Sequence, residues 1–188
     1  MLGKSLIAVV VLLLAVGVFV WSTHNKLVVL RNRIANALAQ VEVQLQRRLD
    51  LVPNLVETVK GYAKHESQTL ESVVEARQRM VAAQQSGDTR AQLEADSGLT
   101  AALRSLFALS ERYPDLKAST NFQQLQSQLA ETEDKISYMR QSFNDTVMAY
   151  NNRLQVFPSN VVAALFKFEP HDSYVADSGA QSAPGVDF

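Results

Sequence analysis

From Ser5 to Thr23 the chain reads SLIAVVVLLLAVGVFVWST, nineteen positions without a charged side chain. As a helix rising about 1.5 Å per residue, the run covers close to the ~30 Å hydrocarbon core of a bilayer, so it reads as a transmembrane helix. Lys4 precedes it, and Trp21 at its far end is a natural interfacial anchor. The competing reading is a cleaved signal peptide, for which Ala15-Val16-Gly17 has the required small-x-small form. Against cleavage, Val18 to Val20 prolong the apolar run past that cut and the helical pattern carries on. Lys26, Arg31 and Arg33 follow the span, which by the positive-inside rule favours a cytosolic body.

Beyond the span, Leu27, Leu30, Ile34, Leu38, Val41, Leu45, Leu49 and Val52 recur at spacings of three and four, and no Gly or Pro interrupts Trp21 to Val52. The membrane helix is therefore expected to run unbroken into a long amphipathic helix. Pro53, lacking an N–H and restricting Val52, is expected to end it and to open a second helix reaching about Gln85. Ser86 to Arg90 reads as a turn, with Asp88 or Thr89 as the next cap. A third pattern uses Leu93, Leu99, Leu103, Leu106, Phe107 and Leu109 and stops at Tyr113-Pro114. The fourth steps from Phe122 to Leu154 without a failure, with Asn121 and Gln124 as a capping box.

Each of these helices has one stripe to bury and the connections are short. The expected fold is all-α, an N-terminal transmembrane helix continuing into a long-helix antiparallel four-helix bundle of coiled-coil type. The organisation follows as residues 1–4, the span 5–23, the helical body 24–166, and a disordered acidic tail 167–188. Residues 169–188 hold four acids, no Lys or Arg, and several Gly, Ser and Pro.

Composition narrows function mainly by exclusion. A formal charge of -1 lacks the basic excess of a nucleic-acid binder. The absence of cysteine removes disulfides, thiolate catalysis and zinc–thiolate sites.

Three blocks in order, LRNRIANALAQVEVQLQRRLDLVPNLVETVKGYAKHE, ERYPDLKASTNFQQLQSQLAETEDKISYMRQSFNDTVMAYN and FPSNVVAALFKF, resemble the LemA family of bacterial membrane proteins over about residues 25 to 168. Val52 and Phe143 stand where relatives often have isoleucine and tyrosine, and Leu38 where an aromatic is common. The acidic tail falls outside the resemblance. The resemblance implies a single-pass protein of the bacterial plasma (inner) membrane, a short N-terminus outside and a helical body in the cytosol. It implies no enzymatic activity; some members are associated with a membrane metalloprotease or with envelope-stress proteins.

No catalytic or metal site assembles from the residues. His65-Glu66 begins a zincin-like pattern, but the second ligand position is Thr69. Glu57, Glu66, Glu71 and Glu75, with Glu131, Glu133 and Asp134, lack the Glu-x-x-His pairs of a di-metal bundle. No cofactor is expected.

Residues 47–66, RRLDLVPNLVETVKGYAKHE, read as a corner: Arg47, Arg48 and Asp50 close helix one, Pro53 turns the chain, and Asn54 to Tyr62 open helix two. Packing and capping alone would constrain such a corner. As the membrane-distal tip of a hairpin it is also the candidate partner or oligomer contact, with Arg47 and Arg48 pairing with acids and Tyr62 as anchor. Tyr113 and Asp115, in the YPDLKASTNF connection, are a second candidate. The expected function is a non-catalytic scaffold or adaptor anchored in the lipid bilayer, self-associating or binding an envelope protein such as a membrane protease. The alternatives are a membrane-bound hydrolase using helix-borne carboxylates and His65, and a membrane-shaping stalk.

Overall fold

The computed structural model describes residues 2–174; residues 175–188, most of the expected acidic tail, lie outside the described residues. The described residues form helices α1 (Leu2–Tyr62), α2 (Ser67–Ser86), α3 (Thr89–Ser110), α4 (Pro114–Ala118), α5 (Thr120–Gln155) and α6 (Ser159–Leu165), with no strand among them. The N-terminal part of α1 is long and apolar enough to cross a membrane.

The expected break at Pro53 does not occur, and the reason is a hydrogen bond supplied from another helix. In an α-helix the N–H of residue 53 would donate to the carbonyl of Leu49, and proline has none to give. Arg77 of α2 takes its place, its Nε donating to the Leu49 carbonyl at 3.0 Å. Pro53 is exposed, so its ring displaces nothing in the core. Residues 54–62 thus belong to α1 rather than to a second helix. The chain turns instead at Ala63 to Glu66, where the Glu66 amide donates to the Ala63 carbonyl.

The next turn follows the sequence reading. Gly87 closes α2 in the left-handed region at φ +69, where glycine carries no side-chain penalty. Asp88 caps α3, its carboxylate accepting from the amides of Arg90 and Ala91 at 2.9 and 3.3 Å. Pro114 occupies the first position of α4, where a missing N–H is harmless. Because α5 already begins at Thr120, Asn121 lies within its first turn rather than ahead of it as a cap.

The chain forms two compact units, and α1 and α5 contribute residues to both. Residues 2–39 with 141–173 have a core of Leu27, Ile34, Phe143, Val147, Tyr150, Val162 and Ala163. Here α5 ends in an elbow tied by Ser159, whose hydroxyl lies 2.7 and 2.8 Å from the carbonyls of Arg153 and Val156. The Val156 carbonyl already accepts from the Asn160 amide at 3.0 Å, so the single hydroxyl proton is free to serve the Arg153 carbonyl in the last turn of α5. Residues 167–173, the start of the segment read from composition as disordered, are held by specific contacts. The Tyr150 hydroxyl donates to the Glu169 carbonyl at 3.0 Å, and Asn151 pairs with the backbone of His171 at 2.8 and 3.0 Å.

The second unit, residues 40–140 with Tyr174, is built on aliphatic stripes. Val41, Leu45, Leu49, Val52, Leu55 and Val59 of α1 are buried, as are Leu70, Val73 and Met80 of α2, Leu99, Leu103 and Leu106 of α3, and Phe122, Leu129 and Ile136 of α5. Side chains three and four apart on a helix share one face, which is why these positions meet.

Candidate functional site

The densest polar chemistry of the second unit lies inside it. Arg48 occupies the buried stripe of α1, three residues after Leu45 and four before Val52, and is only 3% exposed. Its Nη1 donates to Asp96 Oδ1 of α3 at 3.0 Å and its Nη2 to Thr100 Oγ1, one turn further along α3, at 2.9 Å. Asp96, itself 4% exposed, accepts on its other oxygen from Arg140 Nη2 of α5 at 3.1 Å. Glu133 Oε2 lies 2.7 Å from Arg48 Nη2, an ion pair by distance rather than an aligned hydrogen bond, and its side chain reaches the surface. Two guanidiniums and two carboxylates from α1, α3 and α5 therefore balance in charge.

Removing such groups from water costs several kcal/mol per ion, and only close, multiply bonded geometry offsets it. Asp96 provides that geometry by bridging both arginines. Tyr174 adds to the cluster, its ring lying 5.4 Å from the Arg140 guanidinium. Burial pushes the Tyr174 phenol above its ordinary range, with Arg140 acting against the shift.

The sequence reading placed Arg48 on a docking surface. The structure turns it inward, because residue 48 has the same register as the apolar positions flanking it. Arg47, one residue earlier, is exposed, as are Asp50, Pro53 and Asn54. Asp50 accepts from Gln46 Nε2 at 2.8 Å on the surface of α1. Asn54 lines a mixed groove with Thr58, Asn121, Gln124, Leu125 and Gln128.

Tyr62 and Asp115 are brought together. With Ala118, Ser119, Thr120 and Asn121 they line a shallow depression beside the α4–α5 connection. Tyr113 is not part of it: half-buried, it donates its hydroxyl to Glu66 Oε1 at 2.9 Å, and that bond to a carboxylate raises the phenol's pKa. Arg112 approaches the same carboxylate at 3.2 Å. Glu66 thus ties the Ala63–Glu66 turn to the end of α3.

The other carboxylates weighed for catalysis are dispersed. Glu57 pairs with Lys60, Glu75 with Arg79 and Glu131 with Lys135, each along its own helix, and His65 is exposed. Among the described residues no three His, Asp or Glu gather as metal ligands. His24 packs edge-on against Phe166 and Phe168 at 4.6 and 5.5 Å, and His171 against Tyr150 at 5.5 Å.

Sequence reasoning missed Asp96 and Arg140 altogether, and the signal was present. Each of the four charged residues lies three or four positions from a buried apolar residue of its own helix: Asp96 from Leu99, Glu133 from Leu129 and Ile136, Arg140 from Ile136 and Phe143. Opposite charges sharing the apolar register of different helices mark an internal ion pair.

These features define an all-helical protein whose one N-terminal apolar helix is long enough to cross a membrane. The chain belongs to the LemA family, whose model matches residues 37–188 and so extends past the point where the resemblance was read to end. It is similar to the protein LemA of Metamycoplasma hominis, 25% identical over 154 residues covering 80% of this chain and 69% of that protein. It is also similar to the magnetosome protein MamQ of Magnetospirillum gryphiswaldense, 26% identical over 151 residues, 68% of this chain and 56% of that one. The magnetosome protein MamQ 2 of Paramagnetospirillum magneticum is 25% identical over 169 residues, 78% of this chain and 62% of that one. The chain thus spans between 56 and 69% of the length of each of these relatives.

Proposed function

We propose that the chain is a membrane-anchored scaffold or adaptor without catalysis of its own, which self-associates or holds an envelope membrane protein such as a membrane protease. In this reading residues 5–23 cross the bacterial inner membrane and the helical body lies in the cytosol. The C-terminal half of α1 packs with α2, α3 and α5 as an antiparallel four-helix bundle. The observation that carries the reading is the disposition of polar groups in residues 40–140. Buried Arg48 and Asp96 pair with each other and with the part-exposed Glu133 and Arg140 across three helices, whereas Tyr62, 47% exposed, and Asp115 line an open depression. An aromatic ring with an acid beside it suits a protein contact better than turnover of a small molecule, which calls for an enclosed site.

A photoreactive side chain at position 62, 115 or 47 of the full-length protein in native membranes tests this. Discrete adducts from Tyr62 and Asp115 to a second copy or to one membrane protein are expected, weakened by Tyr62→Ala when the probe is at 115. Positions that yield no adduct beyond lipid would overturn the scaffold reading.

A further inference from the structure

Outside the apolar run, the first unit carries a second apolar surface, and it is the reverse of a packed core. At the elbow between α5 and α6, Val156, Phe157, Val161, Leu165 and Phe166 are 59, 76, 59, 68 and 46% exposed. Five large apolar side chains within eleven residues is more than scattered surface hydrophobicity, and contiguous exposed apolar patches mark interaction sites.

Its position along α1 says what covers it. Val156, Phe157, Pro158 and Ser159 line one groove with Phe19 and Thr23, the last turn of the uncharged run. Phe166 packs on His24, one residue beyond that run. The elbow therefore sits at the level where the apolar helix gives way to charged sequence, beside Trp21, which is 68% exposed. If the run crosses a bilayer, this level is the boundary between acyl chains and headgroups.

Charge gives the second, independent indication. A neighbouring groove is lined by Trp21, Asn25, Val29 and three cations, Lys26, Arg33 and Arg153. None of the three is in an ion pair among the described residues. The sequence has no acid before Glu42 and none between Asp145 and Glu169, although Arg153 and Lys167 fall in the second interval. A basic rim around exposed Phe, Leu and Val is the pattern of an interfacial membrane element.

We propose that the α5–α6 elbow inserts its apolar side chains into the headgroup–acyl boundary of an anionic bilayer, with Lys26, Arg33, Arg153 and Lys167 on lipid phosphates. The protein then grips the membrane at two places, the span and the elbow, and α1 is held at a fixed depth. This goes beyond the scaffold reading and does not depend on which partner the body holds.

The native chain has no cysteine, so single cysteines report position without background. Nitroxide labels at Phe157→Cys and Leu165→Cys in full-length protein, reconstituted into vesicles containing phosphatidylglycerol, are compared with Leu12→Cys in the span and Tyr138→Cys, 73% exposed on α5. The expected elbow signals follow Leu12: accessible to oxygen, shielded from an aqueous nickel complex. Elbow labels that match Tyr138 overturn the proposal. So do labels shielded from both reagents, which would mean that protein covers the surface. Neutral phosphatidylcholine vesicles, or Arg33→Glu with Arg153→Glu in anionic ones, are expected to move the elbow labels toward the aqueous reading. No movement in either case would remove the phosphate contacts from the proposal. Far-UV circular dichroism establishes that each variant is folded.

Discussion

In residues 40–140 the charged side chains that reach the interior find opposite charges there: Arg48 meets Asp96 and Glu133, and Asp96 also meets Arg140. In residues 2–39 with 141–173 the cations have no such company. Lys26, Arg33 and Arg153 line an open groove, and Arg31 rests over the Phe168 ring at 5.8 Å. Both units are helical and both bury an apolar core. Charge in this chain thus has two uses, fixing how helices meet in one unit and facing outward in the other. Charge number alone does not separate the two; register against the apolar stripe does.

The largest effect that would break this contrast is at Asp96. Asp96→Ala removes the carboxylate shared by buried Arg48 and part-exposed Arg140, leaving Arg48 only Glu133 as an ion-pair partner, and a loss of about 3–5 kcal/mol is expected in chemical denaturation of the full chain. The reverse test is cheap. Arg47→Glu, beside the buried Arg48 but exposed, is expected to stay within about 0.5 kcal/mol of the native chain, whereas Arg48→Glu, which puts a third carboxylate into the cluster, unfolds it. A docking experiment with both arginines reversed would therefore report folding, not contact.

Next in size is the Pro53 repair. Arg77→Met leaves the Leu49 carbonyl without a donor and is expected to cost about 1–3 kcal/mol. In a Pro53→Ala background the backbone supplies the donor again, and the same substitution should cost measurably less. Equal costs in the two backgrounds would show that Arg77 does something other than replace the missing N–H.

A smaller effect is expected in both units at high pH. Burial is the leading cause raising the phenols of Tyr150 and Tyr174 above their ordinary value, opposed by Arg31 and Arg140 respectively. A group whose folded pKa lies above its unfolded one lends stability that is whole below the unfolded value, about 10, and lost as pH rises through the folded value. Denaturation midpoints should therefore fall above about pH 10, and Tyr174→Phe should flatten part of that fall. The smallest effects on folding belong to exposed apolar positions: Phe157→Ser is expected to change stability by less than about 0.5 kcal/mol, because the side chain is not part of the core and its contribution is to the bilayer contact.

Much of the architecture was legible in the sequence. The stripes of α1, α3 and α5 follow from three-and-four spacing, and the Gly87–Asp88 turn follows from residues suited to a left-handed cap and a helix start. The continuation of α1 past Pro53 was not legible, because the donor that rescues Pro53 comes from Arg77, twenty-four residues away in sequence. Local propensity cannot see a tertiary hydrogen bond. Arg48 was assigned to the surface for a related reason: arginine is rarely buried, and the acids that allow it lie on other helices. Tyr62 and Asp115 were read as separate contact candidates on different connections; that they line one depression was not legible, since only the fold brings the two connections together.

The most direct test of the claim that the interior charges are architecture is a double-mutant cycle between Arg48→Leu and Asp96→Leu, read by reversible denaturation of the full-length protein in detergent. Each single change is expected to be severely destabilising and the double change to cost less than their sum, with a coupling of about 1–3 kcal/mol. Additive losses, or an Asp96→Leu protein as stable as the native one, would contradict the claim.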